Sequence, residues 1–203
     1  MITAWSSYLS ERNNKLRLLI SVSAAFLVLF VFMRFLTFNE ARTGYGFDDP
    51  FLKYLSPRDL SSVIFIITYG LSLAGLFLAL QKPELFLLLV ASYSVMTLIR
   101  MCCLFILPLE PPSGIIPLRD ILLQNSFYSG RENLRDLFFS GHTAALLLFA
   151  FSFRDLKLKI IFISGAILVG LLLMIQHVHF SMDVLAAGLA AWLSVKFSAL
   201  FFK

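Results

Sequence analysis

The chain has 203 residues, 59% of them apolar and only 14% charged, with 22 phenylalanines and a mean hydropathy of +0.86. Ordinary soluble domains carry about a quarter charged residues, so this composition excludes a water-soluble globule and indicates a membrane protein. The net charge of +5 comes from basic residues scattered through short segments, which argues against nucleic acid as a partner.

Residues 1–17 combine Arg12, Lys15 and Arg17 with Trp5 and Tyr8, a mixture suited to a cytoplasmic interfacial segment. Six apolar runs follow, at 18–38, 60–80, 85–107, 137–153, 160–176 and 184–202. Crossing ~30 Å of hydrocarbon takes about 20 helical residues, with about 17 the lower limit. All six runs qualify, the fourth and fifth narrowly. No signal-peptide cleavage pattern precedes the first run, which reads as a retained helix. The expected fold is therefore all-α, a bundle of six transmembrane helices spanning 18–203.

Six crossings put both termini on one side. Arg12, Lys15, Arg17, Lys82, Arg154, Lys157, Lys159 and Lys203 fall in the short segments of that side. Most acidic residues fall in the longer segments opposite, at 39–59 and 108–136. The positive-inside rule then places both termini in the cytoplasm and the long loops in a periplasm, a lumen or the exterior.

Several spans contain residues that need a reason to be there. Arg34 and Lys196 lie near span ends, where snorkelling accommodates them. Gly70, Gly75, Gly165 and Gly170, with Ala186, Ala187, Gly188, Ala190 and Ala191, are expected to permit close helix packing. Cys102 and Cys103 are adjacent in an apolar stretch, so neither a disulfide framework nor a thiolate metal site is indicated. Arg100 is seven residues from the end of the third run, or about 10 Å at 1.5 Å per residue. A charge at that depth needs a phosphate, a carboxylate or a route to the interface.

The three histidines lie at membrane boundaries on the same expected side. His142 belongs to Ser140-Gly141-His142-Thr143, at the start of the fourth run. His177 and His179 belong to His177-Val178-His179-Phe180-Ser181-Met182-Asp183, between the fifth and sixth. If the last helix begins near His179, one turn sets the Asp183 carboxylate beneath its imidazole. A carboxylate accepting one ring N–H fixes the tautomer and leaves the other nitrogen a better nucleophile or base. His142, from another helix, is then a candidate to protonate a leaving oxygen. Gly141 permits close backbone approach, and the hydroxyls of Ser140 and Thr143 stand at a helix N-terminus, a natural seat for phosphate. Arg131 and Arg135 lie just upstream, as headgroup contacts or as solvated loop charges. This set suggests phosphoryl transfer. Two other readings remain open: histidines that only hydrogen-bond, and a metal held by His177, His179 and Asp183 as a two-histidine, one-carboxylate set.

The two histidine motifs resemble the paired motifs of the PAP2 (phosphatidic acid phosphatase type 2) superfamily. They are most similar to its sphingomyelin synthase-like branch, which reads S-G-H-T and H-Y-T-x-D-V. Asp136, six residues before His142, matches an aspartate of that branch, and the run from Arg100 to Pro108 resembles its third span ending in L-P. The resemblance covers roughly residues 45–195. It implies a six-helix bundle, a non-cytoplasmic site and transfer through a phosphohistidine. By it His179 is the nucleophile, Asp183 its partner and His142 the acid–base residue.

No K-x6-R-P motif is present, and Leu173 stands where the wider superfamily has an arginine. Fewer fixed cations suit a phosphodiester, with one negative charge, better than a phosphomonoester with nearly two. The expected activity is thus transfer or hydrolysis of a phospholipid headgroup phosphate, with ceramide, another alcohol lipid or water as acceptor. His142, His179 and Asp183 are the expected catalytic residues. Ser140, Gly141, Thr143, Arg100, Asp136 and His177 are the expected substrate contacts. An imidazole nucleophile with a proton-donating partner calls for no metal or other cofactor. A lipid phosphomonoesterase and a non-catalytic lipid-binding protein are the alternatives.

Overall fold

A computed structural model describes residues 2–118 and 133–201. The elements are helices α1 (Ile2–Ser10), α2 (Arg12–Glu40), α3 (Ser61–Ala79), α4 (Pro83–Ile106), α5 (Gly141–Ser152), α6 (Leu156–Ile175) and α7 (Ser181–Phe201), with a 3-10 turn at Leu52–Tyr54. Among the described residues the only β-type pairing is one isolated bridge, Tyr45 with Leu109. Five helices, α2, α3, α4, α6 and α7, are long and apolar enough to cross a membrane.

The helix starts follow from local chemistry. Pro83 opens α4, where its missing N–H removes nothing. The Asp155 carboxylate accepts the Leu158 N–H at 3.0 Å to cap α6. Asp183 reaches back from the first turn of α7 to accept the Phe180 N–H at 2.9 Å, one half of a capping box.

The fourth expected span differs from its reading. Of 137–153, only Gly141–Ser152 is helical. Twelve residues rise about 18 Å, well short of the hydrocarbon thickness. Leu137 and Phe139 are apolar because protein buries them: Leu137 packs under the loops with Leu52, Leu109 and Phe180, and Phe139 packs between helices with Met96 and Ala144. A short helix is tolerable because it stands in the middle of the bundle. Ile64 of α3 and Phe162, Ala166, Val169 and Leu173 of α6 cover one side of α5. Met96 of α4 and Ala187, Ala190, Ala191 and Val195 of α7 cover the other. Backbone irregularity beside it is shielded by protein from lipid.

The other expected boundaries shift slightly, most at α2, which begins at Arg12 and so takes in the basic residues assigned to an interfacial segment. Arg34 and Lys196 lie over the rings of Phe30 and Trp192. Gly75 and Gly165 meet side chains of neighbouring helices, as expected of packing glycines, but Gly70 faces open space and permits no contact.

Candidate active site

Antiparallel helix directions bring Glu40, Ser61, Ile106, Gly141, Ile175 and Ser181 to one end of the bundle, the end that carries all three histidines. Loops there are knitted by polar side chains. Arg42 donates to the Leu104 and Phe105 carbonyls at the end of α4, a favourable place for a cation. Glu110 accepts the Gly44 N–H at 2.7 Å and a forked contact from Arg135, 2.9 Å at the shortest. Those bonds hold the Glu110 carboxyl below the usual carboxylate range, against the upward push of burial. Arg135 also donates to the Glu40 carbonyl at 2.7 Å. Arg135 is therefore engaged in the scaffold, and Arg131 lies outside the described residues.

His179 and Asp183 are brought together as their spacing requires. His179 Nδ1 stands 3.3 Å from Asp183 Oδ2, and the two side chains are 3% and 0% exposed. The other carboxylate oxygen, Asp183 Oδ1, is buried without a hydrogen-bond partner among the described residues. The Asp183 carbonyl accepts the Ser140 N–H at 3.1 Å, which ties the two histidine motifs directly to each other.

Around Ser140 the geometry is specific. Its hydroxyl lies 3.0 Å from that of Thr143, and both residues are buried. The Ser140 hydroxyl donates to that of Thr143, and neither residue lines the cavity described below. Gly141 is required by close approach: a Cβ there would collide with the Arg100 guanidinium. Arg100 in turn donates from Nε and Nη2 to Asp136 Oδ1, at 3.1 and 2.9 Å. The costly intramembrane charge is thus met by a carboxylate. Arg100, Asp136, Gly141 and His142 line part of a cavity of about 540 Å³ walled by α2, α3, α4 and α5. His142 lies beside Phe65, ring centroids 6.1 Å apart. His179 is not part of the cavity wall.

His177 is used differently. Its backbone φ is +58°, the left-handed conformation that usually falls to glycine. The His177 N–H donates to Met174 and the Val178 N–H to Leu173, which together close α6 as a Schellman motif. Its two ring nitrogens face the Ser113 carbonyl at 2.9 Å and the Leu55 carbonyl at 3.0 Å. The ring spans two loops, so His177, His179 and Asp183 do not gather as a metal-ligand set among the described residues.

Three residues matter that the sequence did not single out. Asp49 Oδ2 accepts the Ser181 N–H at 2.6 Å, placing a carboxylate at the N-terminus of α7. Burial pushes the Asp49 carboxyl up, but bonds from Ser181, Phe51 and Leu52 outweigh it and hold the group below its ordinary value. Gln176, fully buried, accepts the Leu60 N–H and donates to Ser61 and Ile116. Thr68 lines the cavity with its buried hydroxyl unpartnered. Only Asp49 carried a signal, the acidic turn Asp48-Asp49-Pro50. Compared with protein-family models and with curated proteins, the chain gives no match.

Proposed function

We propose that the chain is a membrane lipid phosphotransferase or phosphodiesterase of the PAP2 type, similar to sphingomyelin synthases, with α5 as the short fourth member of a six-helix bundle. The observation that carries the reading is the His179–Asp183 pair, a buried carboxylate 3.3 Å from an imidazole and joined through Ser140 to the His142 motif.

In this mechanism Asp183 holds the Nδ1 proton of His179, and Nε2 attacks the phosphorus of a phospholipid. The bond from phosphorus to the diacylglycerol oxygen breaks as His142 gives that oxygen a proton. An acceptor hydroxyl then attacks the phosphohistidine, returns its proton to His142 and leaves with the headgroup phosphate. Ceramide, another alcohol lipid or water fills the acceptor role. Arg100, held by Asp136 and packed against Gly141, supports the phosphate charge. Positive-inside topology puts the histidine end of the bundle on the non-cytoplasmic face.

A lipid-binding protein without turnover is the second reading. The observation favouring it is the near-complete enclosure of His179, 3% exposed. Incubating the purified protein with a panel of phospholipids, with and without ceramide, separates the two by mass spectrometry of products. Diacylglycerol appearing with a matching phosphorylated product supports catalysis. No product from any lipid class leaves the second reading.

A further inference from the structure

Asn39 and Glu40 close α2, and both side chains reach beyond their own helix. A carboxylate on the last residue of a helix meets the negative end of the helix dipole, so Glu40 is better placed with a partner elsewhere. That partner is the segment before the Ser-Gly-His-Thr motif. Glu40 Oε2 accepts the Leu134 N–H at 3.1 Å and the Arg135 N–H at 2.9 Å. Asn39, 2% exposed, donates from Nδ2 to the Arg135 carbonyl at 2.8 Å. Arg42 Nη1 stands 3.4 Å from Asn39 Oδ1 and favours this orientation of the amide.

The Arg135 carbonyl and the Asp136 nitrogen belong to one planar peptide unit. Holding the carbonyl oxygen therefore sets where the Asp136 backbone stands. Asp136 Oδ1 in turn receives Arg100 Nε and Nη2 at 3.1 and 2.9 Å. Such bonds tolerate a few tenths of an ångström, so a shift of about 1 Å at Asp136 breaks them. On its other side the guanidinium stops at Gly141. Contacts thus run from α2 through residues 134–136 to Arg100 of α4, and α2 packs chiefly on α4. An intramembrane arginine needs only a counter-ion to be tolerated. A counter-ion whose preceding backbone is held at the Leu134 N–H, the Arg135 N–H and the Arg135 carbonyl fixes its direction as well.

We propose that Asn39 and Glu40 are positioning residues, which hold Asp136 and through it fix the Arg100 guanidinium beside the Ser-Gly-His-Thr turn. Neither touches a substrate. The phosphate that Arg100 meets there rests on the phosphoryl-transfer reading above, whereas the placement of the guanidinium does not.

Three variants of the full-length protein separate positioning from simple fastening. Asn39→Asp keeps the acceptor that faces Arg42 and loses only the donor that faces Arg135. Glu40→Ala loses both backbone contacts, and Glu40→Gln keeps an acceptor oxygen for them. In thermal unfolding in detergent, Asn39→Asp and Glu40→Ala are each expected to lower Tm by about 2–8 °C. With Arg100→Met and Asp136→Leu in the same chain, no guanidinium remains to be held. The same substitutions should then lower Tm by less than about half as much. Equal losses in the two backgrounds overturn the proposal, because Asn39 and Glu40 then only fasten a loop.

Turnover on the phospholipid panel, assayed below every unfolding transition, is the second measurement. Asn39→Asp and Glu40→Ala should cut kcat at least about tenfold with KM changed less than about threefold, since charge on the transferred phosphate is met as it develops. Glu40→Gln should recover most of what Glu40→Ala loses. Wild-type kcat in a folded Asn39→Asp also overturns the proposal. Coupling in Tm as expected, in a protein that turns over no lipid, refutes the catalytic reading and leaves the positioning intact.

Discussion

His177 and His179 stand two residues apart, yet their surroundings differ in kind. Both ring nitrogens of His177 face backbone carbonyls, from Ser113 and Leu55. His179 has one nitrogen on Asp183, whose second oxygen is buried without a partner among the described residues. With a loop carbonyl against each nitrogen, the His177 ring sits as a clasp between two loops. A buried carboxylate oxygen with unused capacity is costly and needs a reason to be there, of which a reactive site is one.

The largest effects should fall on the His179 side of this comparison. His179→Ala is expected to lose turnover by at least about a thousandfold on natural lipids and on a nitrophenyl phosphodiester alike. His142→Ala should lose about 10²–10⁴-fold on natural lipids and far less on the nitrophenyl substrate, whose leaving group departs without a proton. His177→Ala, assayed where it remains folded, should retain turnover within severalfold. If His177→Ala fails as completely as His179→Ala, the comparison breaks.

The next effect concerns stability. Arg100→Met breaks the nearly buried pair with Asp136, and breaking such a pair costs about 3–5 kcal/mol. Thermal unfolding in detergent measures it, and Arg100→Met with Asp136→Leu should recover much of the loss.

The His177 clasp should cost less to remove. His177→Ala removes the ring's hydrogen bond to a loop carbonyl, about 1–3 kcal/mol, and keeps the left-handed backbone strain. His177→Gly loses the same bond but relieves that strain, so it should melt higher than the alanine variant by about 1 kcal/mol of stability. Equal melting of the two variants would show that the backbone at 177 carries no strain.

The smallest expected effect is a pH dependence of the loop scaffold. The carboxyls of Glu110 and Asp49 are held below their ordinary values in the folded chain. Their contribution is therefore complete above the unfolded carboxylate range, about 4, and is lost as pH falls through the lower folded values. Proteolysis of the loops at 41–60 and 107–118 should accelerate below that range. Glu110→Gln should remove part of the pH response.

The sequence made some of this legible and hid the rest for physical reasons. Hydropathy located the five long helices because lipid-facing helices are apolar nearly all round, as in α2. It overran α5 because residues buried inside the protein are as apolar as residues facing lipid, and Leu137 and Phe139 are of the first kind. The four-residue spacing of His179 and Asp183 was readable, being local. His177 misled the reading, since a histidine beside a motif looks the same whether it meets substrate or loop carbonyls. Gln176 and the Glu110–Arg135 contact depend on segments far apart in sequence, and no local pattern announces them; the acidic turn at Asp49 shows a carboxylate but not the α7 terminus it meets.

The contact between Gly141 and Arg100 makes the two positions epistatic. A methyl group at 141 is excluded by a guanidinium, not by the backbone, so the cost of Gly141→Ala depends on what occupies position 100. In a chain that already carries Arg100→Met, which removes the guanidinium, the added penalty of Gly141→Ala should shrink toward zero, a coupling that a double-mutant cycle measures directly. The tolerance of the Ser-Gly-His-Thr turn to change is thus set by a residue on another helix.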